Sequence, residues 1–475
     1  MKGALFNAAL AAALVAGAFT GKAQEPTGLS QSGAQLDYQQ AFQRGTQAAI
    51  WGVPAVSMMG VRHGSERDLG ATFNDILYMS QPMVSRHGFL TANNQVPYVI
   101  VLLNTTDGPV VFEVPPASPN TIFFGTAIDA WQVPVADVGP EGVDGGKGGK
   151  YLFLPPGYDK PVPEGYLVFR PNTFHIYVGL RPVAVNGGTI EQGVAYSQQL
   201  KAYPLASPNK AGRYIDAFPK AWDTLPKYDL SYFQDLATVV NEEPVQEKDL
   251  AMMGMLSSIG IKKGQPFQPD AATTKALQDA VKLAYDQMQS YFTTPGRALM
   301  PFWPTRQWQT LNLSRTQAEE GFPFVTPDEL LIDPRGGGVY FWATWLPKHL
   351  GKGSFYLMGL RDQGGALLDG SSLYRLRVPK EVPAREFWSA IVYSMKTKGF
   401  IANASKVGLS SYDKAALKAN EDGTIDLYFG PKPPKGMESN WLPTGEDFFL
   451  IFRLYGPEPA LFEKTWTLAD VEKLP

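Results

Sequence analysis

The sequence contains no cysteine and only four histidines, and these two shortages narrow its chemistry. Without cysteine the chain has no disulfide, no thiolate nucleophile and no cysteine-ligated metal. The histidines, His63, His87, His175 and His349, are not paired at the spacing of a zinc site, and H-E-x-x-H does not occur. Metal binding would therefore need ligands that only the fold brings together.

A long apolar run is also missing. The run from Ala8 to Ala18 has eleven residues, whereas a membrane-spanning helix needs about 20. It follows Lys2 and precedes small residues ending at Ala23, which is the pattern of a secretory signal peptide. We expect residues 1–23 to be removed, and we expect no membrane insertion after that cleavage.

The charge is close to balanced, with 42 basic and 45 acidic residues. Cleavage would remove Lys2 and Lys22, leaving 40 basic against 45 acidic residues and a net charge of −5. A chain with this charge does not favour nucleic acid as a partner. Together with the signal segment and the absence of cysteine, it predicts a periplasmic or secreted protein.

Short apolar runs rich in aromatic and β-branched residues dominate both ends of the chain. They include "VPYVIVLLN" and "TFHIYVGLRP" in the first half, and "FWSAIVYS" and "FFLIFRLYG" in the second. Turn residues bound each run, which is typical of strands. We therefore predict a mainly β protein with two related sandwich or jelly-roll-like units. The expected boundaries are 24–188 for the first unit, 189–325 for a partly helical connector and 326–475 for the second.

Three segments have helical character. Leu36 to Ile50 is expected to form a helix that ends near Pro54, because proline lacks the amide hydrogen that continues a helix. Asp249 to Gly260 reads as a helix closed by its glycine. Asp270 is a candidate cap for a longer amphipathic helix after it.

An internal repeat supports the two-unit layout. Without a gap, "VPPASPNTIFFGTAIDA" from Val114 aligns with "VPKEVPAREFWSAIVYS" from Val378. The alignment matches residues in the order Pro115, Pro119, Phe123, Phe124 and Pro379, Pro383, Phe387, Trp388. "VGLRP" and "RLYGP" are looser downstream counterparts, and their shared order argues against chance.

The segment "DGGKGGKYLFLPPGY", from Asp144 to Tyr158, resembles a phosphate-binding loop only in its glycines and lysines. Tyr151 follows Lys150 where a P-loop needs Ser or Thr, and the spacing to the first glycine is wrong. A strand follows the segment, so no helix N-terminus is available for phosphate. We interpret the glycines as tight turns.

Four residues are candidates for catalysis. His87 or His175 could act as general base, assisted by Asp129 or Arg181. At either histidine, the alternative is a structural residue whose hydrogen bonds are satisfied.

Four further residues are candidates for ligand binding: Trp131, Asn440, Trp441 and Arg453. Aromatic rings can stack on sugars or flat molecules, and arginine holds carboxylates. Core and loop packing is the alternative for the tryptophans. No cofactor motif is present, and a divalent metal is the one cofactor that stays open.

Several of these stretches resemble a known pair of domains. "IWGVPAVSMM", "GPVVFEVPP" and "GGKYLFLPPGY" resemble domain of unknown function 1254, and "LDGSSLYRLRVP", "EDGTIDLYFG" and "NWLP" resemble its usual partner, domain of unknown function 1214. The resemblance implies a β-rich, exported, two-domain protein without an established activity. The family often has N-x-D-T-x-Y before the G-P-V-V strand. Here Asn93 and Tyr98 fit, but Gln95 replaces the acid, so a step that needs this acid would be lost.

These observations leave three functional hypotheses. The first is a protein that binds a small organic or sugar-like ligand in the cell envelope. The second is a hydrolase of such a molecule, with or without a metal. The third is an envelope structural protein without a ligand. An open sheet edge in either β unit would favour homo-oligomers.

Overall fold

The computed structural model describes residues 30–313, 323–349 and 354–475, so the expected signal segment 1–23 lies outside the described residues. The helices are α1 (Gly33–Leu69), α2 (Ile190–Ser197), α3 (Ser231–Glu242), α4 (Leu250–Ser258), α5 (Ala271–Thr293), α6 (Ile332–Arg335) and α7 (Pro459–Phe462). A π-helical turn, Gly336–Tyr340, follows α6, and 3₁₀ turns occur at Glu247–Asp249, Ser411–Asp413 and Glu438–Asn440.

The strands fall into two groups along the chain. The first group is β1 (Ile76–Tyr78), β2 (His87–Gly88), β3 (Val99–Asn104), β4 (Val110–Val114), β5 (Thr121–Asp129), β6 (Pro134–Val138), β7 (Gly149–Phe153), β8 (Leu167–Phe169), β9 (His175–Ala184), β10 (Lys201–Pro204), β11 (Tyr214–Asp216) and β12 (Trp222–Asp223). The second group is β13 (Leu299–Pro301), β14 (Gln309–Leu311), β15 (Ser354–Gly359), β16 (Tyr374–Val378), β17 (Ala384–Ser394), β18 (Gly408–Ser410), β19 (Ile425–Gly430), β20 (Trp441–Pro443), β21 (Phe448–Pro457) and β22 (Glu472–Lys473).

Each group forms a two-layer sandwich, which confirms the mainly β fold class. In the first unit a six-stranded sheet, β11-β1-β3-β9-β5-β6, packs on a four-stranded sheet, β10-β4-β7-β8. In the second unit the sheets are β13-β14-β15-β21-β17-β18 and β20-β19-β16-β22. Along the long central strands, such as β3, β9, β17 and β21, alternate residues point into these cores, because successive side chains leave a strand on opposite faces. β2 and β12 form a separate two-stranded sheet.

The two units share one topology. β9 lies between β3 and β5, as β21 lies between β15 and β17. β4 pairs antiparallel with β7, which pairs parallel with β8, and the same pattern joins β16, β19 and β20. The units are therefore structural repeats, as the sequence pattern predicts.

The gap-free alignment of the repeat is wrong by one residue in β17. Val114 and Val378 both point into their sandwich cores. Further along, Phe123 points into the first core, and its equivalent in the second core is Trp388, not Phe387. The extra residue is accommodated by an irregularity between Ala384 and Phe387, where the register against β21 shifts. A bulge inserts one residue into one strand in this way.

A helical layer covers the outer faces of the two six-stranded sheets. Its core combines α1, α3, α4, α5 and residues 339–346 with side chains from both sheets, such as Ile100 and Ile451. The two sandwiches therefore face each other across a shared apolar layer. Within the described residues, no helix is long and apolar enough to cross a membrane.

The expected end of the first helix near Pro54 is wrong, because α1 continues to Leu69 with Pro54 inside it. Proline removes one backbone donor from a helix interior. Side chains from the layer satisfy neighbouring carbonyls: the Tyr232 hydroxyl donates to the Ala49 carbonyl oxygen at 2.6 Å, and Arg335 donates to that of Trp51 at 2.8 Å. Tertiary contacts thus hold a helix that its local sequence would end.

The other two helices are confirmed. Asp270 caps α5 by accepting a hydrogen bond from the Thr273 amide at 2.7 Å. α4 is followed by Gly260 with φ of 90°, the left-handed conformation that glycine adopts readily.

Candidate functional site

The central strands of the six-stranded sheets each carry an arginine, Arg181 in β9 and Arg453 in β21. Leu180 and Phe452 point into the two sandwich cores. The following residues, Arg181 and Arg453, must therefore leave the opposite face, toward the helical layer. Arg181 lies opposite Phe124 on β5, and Arg453 lies opposite Ser389 on β17.

The two arginines occupy equivalent places in the repeat, and each has an equivalent tyrosine. Tyr356 on β15 is the cross-strand partner of Arg453. Tyr98 lies one residue before Val99, the partner of Leu180, which puts it beside Arg181. The Arg181 guanidinium lies 5.1 Å from the Tyr98 ring centroid and the Arg453 guanidinium 5.0 Å from that of Tyr356. This is cation–π geometry.

The two pairs meet in one place with a third tyrosine, Tyr455. Arg181 interacts electrostatically with Tyr98, Tyr356 and Tyr455, so it reaches both units. We name these five residues, Tyr98, Arg181, Tyr356, Arg453 and Tyr455, the Arg–Tyr site. Arg181 and the three tyrosines lie deep in the protein yet keep part of their surface accessible. These four side chains are therefore only partly covered by protein.

Asn93 orients two of the tyrosine hydroxyls. Its backbone amide donates to the Tyr98 hydroxyl oxygen at 3.1 Å, and its side-chain amide donates to the Tyr455 hydroxyl oxygen. The side-chain oxygen of Asn93 in turn accepts a hydrogen bond from the Gln95 backbone amide at 2.8 Å. Each of these two hydroxyls accepts one hydrogen bond from Asn93 and keeps its O–H free to donate to a ligand.

The arginines differ in how they are held. Arg453 is 2% exposed, and it donates to the Tyr393 hydroxyl at 2.5 Å and to the Thr91 carbonyl at 2.7 Å. Arg181 has no comparable backbone anchor among the described residues. The Nε atoms of both arginines are buried without a partner, and neither forms an ion pair with a described carboxylate. The site thus holds two positive charges and no described counterion.

Burial and the arginine charges act in opposite directions on the pKa values of the neighbouring tyrosines. Burial opposes ionisation of Tyr356, but Arg181 and Arg453 outweigh burial and hold its pKa below the usual value. Burial raises the pKa of Tyr455. Burial also opposes the charged form of each arginine, yet the surrounding tyrosines keep the pKa of both above the ordinary value. Both arginines are therefore charged at neutral pH.

The structure places the predicted catalytic residues in three separate regions. His175 begins β9, six residues from Arg181, so about 20 Å of strand separates them. His175 is 4% exposed, and its Nδ1 lies 2.6 Å from Glu243 Oε1. Asp129 is in register with Ile176, next to His175. Burial raises the Asp129 pKa to about 6, although the amides of Trp131 and Val133 donate to it.

His87 lies in a third region, where its ring is held by backbone groups. Its Nδ1 accepts from the Val84 amide at 3.0 Å, and its Nε2 lies 3.2 Å from the Phe218 carbonyl oxygen. Burial lowers the His87 pKa. No acid is among these contacts, so the geometry around His87 is that of a structural histidine.

Three of the predicted ligand-binding residues lie apart from Arg453. Trp131 packs against Trp51 with ring centroids 4.5 Å apart. Asn440 is fully buried, and its side-chain amide donates to the carbonyls of Lys418 and Asp426 at 2.9 Å. The Trp441 indole donates to the Gly430 carbonyl at 2.9 Å. These contacts pin loops, and ligand binding by the three residues stays a prediction.

The glycine-rich segment before β7 wraps around an acid of its own. Asp144 accepts from the amides of Gly139 at 2.8 Å and Gly148 at 3.1 Å. Gly145, Gly146 and Gly148 all have positive φ, as tight turns require. An internal carboxylate thus occupies the amides that a phosphate would need.

Among the residues that the structure describes, no three His, Asp or Glu side chains are placed to hold a metal ion. Sequence reasoning selected Arg181 and Arg453 for different roles and missed Tyr98, Tyr356 and Tyr455 as their neighbours. One feature of the sequence does indicate this site. Asn93 and Tyr98, the two residues that fit the N-x-D-T-x-Y motif, both line it.

Comparisons with known proteins give similarity without an activity. A family model described as Protein of unknown function (DUF1254) matches residues 73–204, and one described as Protein of unknown function (DUF1214) matches residues 353–459. The VPA0106 protein from Vibrio parahaemolyticus has a similar structure, with a TM-score of 0.54 and 17% identity over 92% of this chain and 100% of that one. An uncharacterized protein from Burkholderia cenocepacia has a TM-score of 0.38 and 10% identity over 93% and 96%. No curated protein matches the chain.

Proposed function

Because the chain belongs to the two-domain family of DUF1254 and DUF1214 proteins of unknown function, its role must come from its own site, and we propose that it binds a small organic anion in the Arg–Tyr site. The observation that carries this proposal is the convergence of Arg181 and Arg453 without a described carboxylate partner. A buried charge is costly unless it is paired. A carboxylate entering between the units would supply the missing partner.

The hydrogen-bonding groups around the site favour an anion over a neutral sugar. Arginine has donors and no acceptor, and the hydroxyls of Tyr98 and Tyr455 have donors left. The hydroxyl groups of a sugar need acceptors as well as donors. A carboxylate needs donors alone, and arginine can bind both of its oxygens at once.

We place this binding outside the cytoplasm. The support is the basic start at Lys2, the apolar run Ala8 to Ala18 and the absence of cysteine. Both halves of the site come from one chain, so the proposal does not depend on the oligomeric state. A homo-oligomer formed through an open sheet edge would be compatible with it.

A hydrolase centred on His175 is the second candidate. The observation in its favour is the 2.6 Å contact between His175 and Glu243, with Glu242 at 3.8 Å. The pair is buried and lies about 20 Å along β9 from Arg181, so it could not act on a molecule held by the arginines. An envelope structural role without a ligand is the third.

Thermal unfolding tests the proposal. Acetate, benzoate, succinate, phosphate and glucose would be added separately to the wild type, to Arg181→Gln and to Arg170→Gln, an exposed control in the same unit. A ligand at 100 times its dissociation constant stabilises by about 2.7 kcal/mol. We expect a carboxylate to raise the melting temperature of the wild type and the control, and not of Arg181→Gln. Equal shifts in all three proteins, or none, would contradict the proposal.

A further inference from the structure

A tryptophan lies flat against the strand that carries Arg181. Gly179 is two residues before Arg181 on β9 and faces the same way, about 7 Å from it. A Cβ atom at Gly179 would come within 2.7–2.9 Å of three atoms of the Trp345 pyrrole ring. Only glycine leaves room for the indole at this distance, so the Trp345 ring covers β9 two residues before the arginine.

The conformation of Trp345 is held by the rest of the protein. Its φ is 54°, which is unusual for a residue with a large side chain. Its backbone amide lies 3.4 Å from the Gln132 side-chain oxygen, and its indole Nε1 is buried without a partner. Strained backbone of this kind persists where the surroundings enforce it.

The tyrosines supply further flat surfaces. The Tyr455 ring stacks on Phe387 with centroids 4.0 Å apart and an angle of 13°, so its face is fixed. Asn93 fixes the hydroxyl ends of Tyr98 and Tyr455. With each hydroxyl held by Asn93, the site offers a ligand ring faces, oriented O–H donors and the Arg181 charge.

We infer that the ligand is a flat aromatic monocarboxylate, its carboxylate on Arg181 and its ring against the aromatic surfaces of Trp345 and the Arg–Tyr site tyrosines. This inference rests on the proposed function and narrows it. Arg453 is already bonded to Tyr393 and Thr91, so it contributes charge while Arg181 makes the carboxylate contact. One available arginine matches one carboxylate.

Calorimetric titration would compare benzoate, cyclohexanecarboxylate, propanoate, glucuronate and benzyl alcohol on the wild type and Trp345→Leu. Cyclohexanecarboxylate has the charge and approximate size of benzoate without the flat ring. An aromatic contact contributes about 0.5–1.5 kcal/mol beyond buried area. We therefore expect the wild type to bind benzoate about three- to tenfold more tightly than cyclohexanecarboxylate. Trp345→Leu should reduce this preference and leave the affinity for cyclohexanecarboxylate within about twofold.

A second variant guards against misfolding of Trp345→Leu. Gly179→Ala keeps the indole but pushes it off the strand, and it should also reduce the preference for benzoate. Equal affinity for benzoate and cyclohexanecarboxylate, or tighter binding of glucuronate than of benzoate, would overturn the inference that the ligand is aromatic. Either result would leave the proposed binding of an organic anion standing. Binding of benzyl alcohol as tight as that of benzoate would overturn the role of the charge. Absence of binding by every carboxylate would instead overturn the proposed function itself.

Discussion

The two halves of the Arg–Tyr site hold the same residue types at equivalent places, but only one arginine is locked. Arg453 is anchored by Tyr393 and Thr91, whereas Arg181 has no such anchor and keeps part of its surface accessible. The repeat therefore supplies two similar frames, and the surrounding contacts give them different roles. One arginine holds the site together, and the other is available to a ligand.

The comparison is tested most strongly by two single variants, in which each arginine in turn is replaced by lysine. Lysine keeps the charge but cannot reproduce the planar fork of arginine. Arg453→Lys should lower the free energy of unfolding by about 3 kcal/mol, since hydrogen bonds to charged groups contribute about 1.5–3 kcal/mol each. Arg181→Lys should lower it by less than about 1 kcal/mol, because lysine keeps a cation near the Tyr98 ring and Arg181 has no backbone anchor to lose among the described residues. Urea unfolding of the two variants measures the difference, and equal losses would show that the arginines are not distinct.

The locked half also rests on a buried lysine. The Thr91 backbone amide donates to the Lys398 carbonyl oxygen at 2.8 Å. The Lys398 side chain is 1% exposed and lies between Gln289, Phe292 and Phe341. Burial holds its pKa well below the usual 10.5. Between the lowered pKa of the folded state and 10.5, the unfolded chain binds a proton that the folded protein has lost, so this group makes stability rise with pH across that window.

Lys398→Met should remove that contribution, which is at most about 1.4 kcal/mol per pH unit for one proton. Unfolding measured between pH 6 and 10 should show a shallower rise of stability with pH than in the wild type. Lys396→Met, in the same turn but exposed, is the matched control. If both variants keep the wild-type pH dependence, Lys398 is charged in the folded protein.

Asn93 lies in the first unit and reaches a tyrosine of the second. Asn93→Ala would leave the Tyr455 hydroxyl and the Gln95 amide without their partner. We expect a loss of about 1–2 kcal/mol in the free energy of unfolding and weaker anion binding, because Tyr455 is no longer oriented. The neighbouring Asn94→Ala removes one bond to the Gln95 side chain and should do neither. Similar results for both variants would argue against a specific role for Asn93.

Tyr356 reports on both arginines, and it gives the smallest effect. Since Arg181 and Arg453 together hold its pKa down against burial, Arg181→Gln should raise that pKa while Arg170→Gln should not. Absorbance titration of tyrosinate, compared with the same variants carrying Tyr356→Phe, isolates this one group. An unchanged pKa would mean that Arg181 does not share the site with Tyr356.

Much of the frame was accessible from the sequence, and the site was not. Strand runs are local patterns, and so are the apolar spacing and the Asp270 cap of α5. Both β units and this helix were therefore predictable. The course of α1 past Pro54 depends on donors from Tyr232 and Arg335, which are distant in sequence. Matching the prolines of "VGLRP" and "RLYGP" aligns Arg181 with Gly456, whereas the strand register makes it equivalent to Arg453. The shared place of the two arginines therefore appears only in the pairing of β9 with β5 and of β21 with β17.

Isothermal titration of benzoate into the wild type, Arg181→Gln and Arg170→Gln at one ionic strength tests the central claim most directly. The account predicts measurable binding to the wild type and the control, and a loss of at least about tenfold in affinity for Arg181→Gln, since charge-assisted bidentate bonds are the strong ones. Undiminished binding to Arg181→Gln would contradict it.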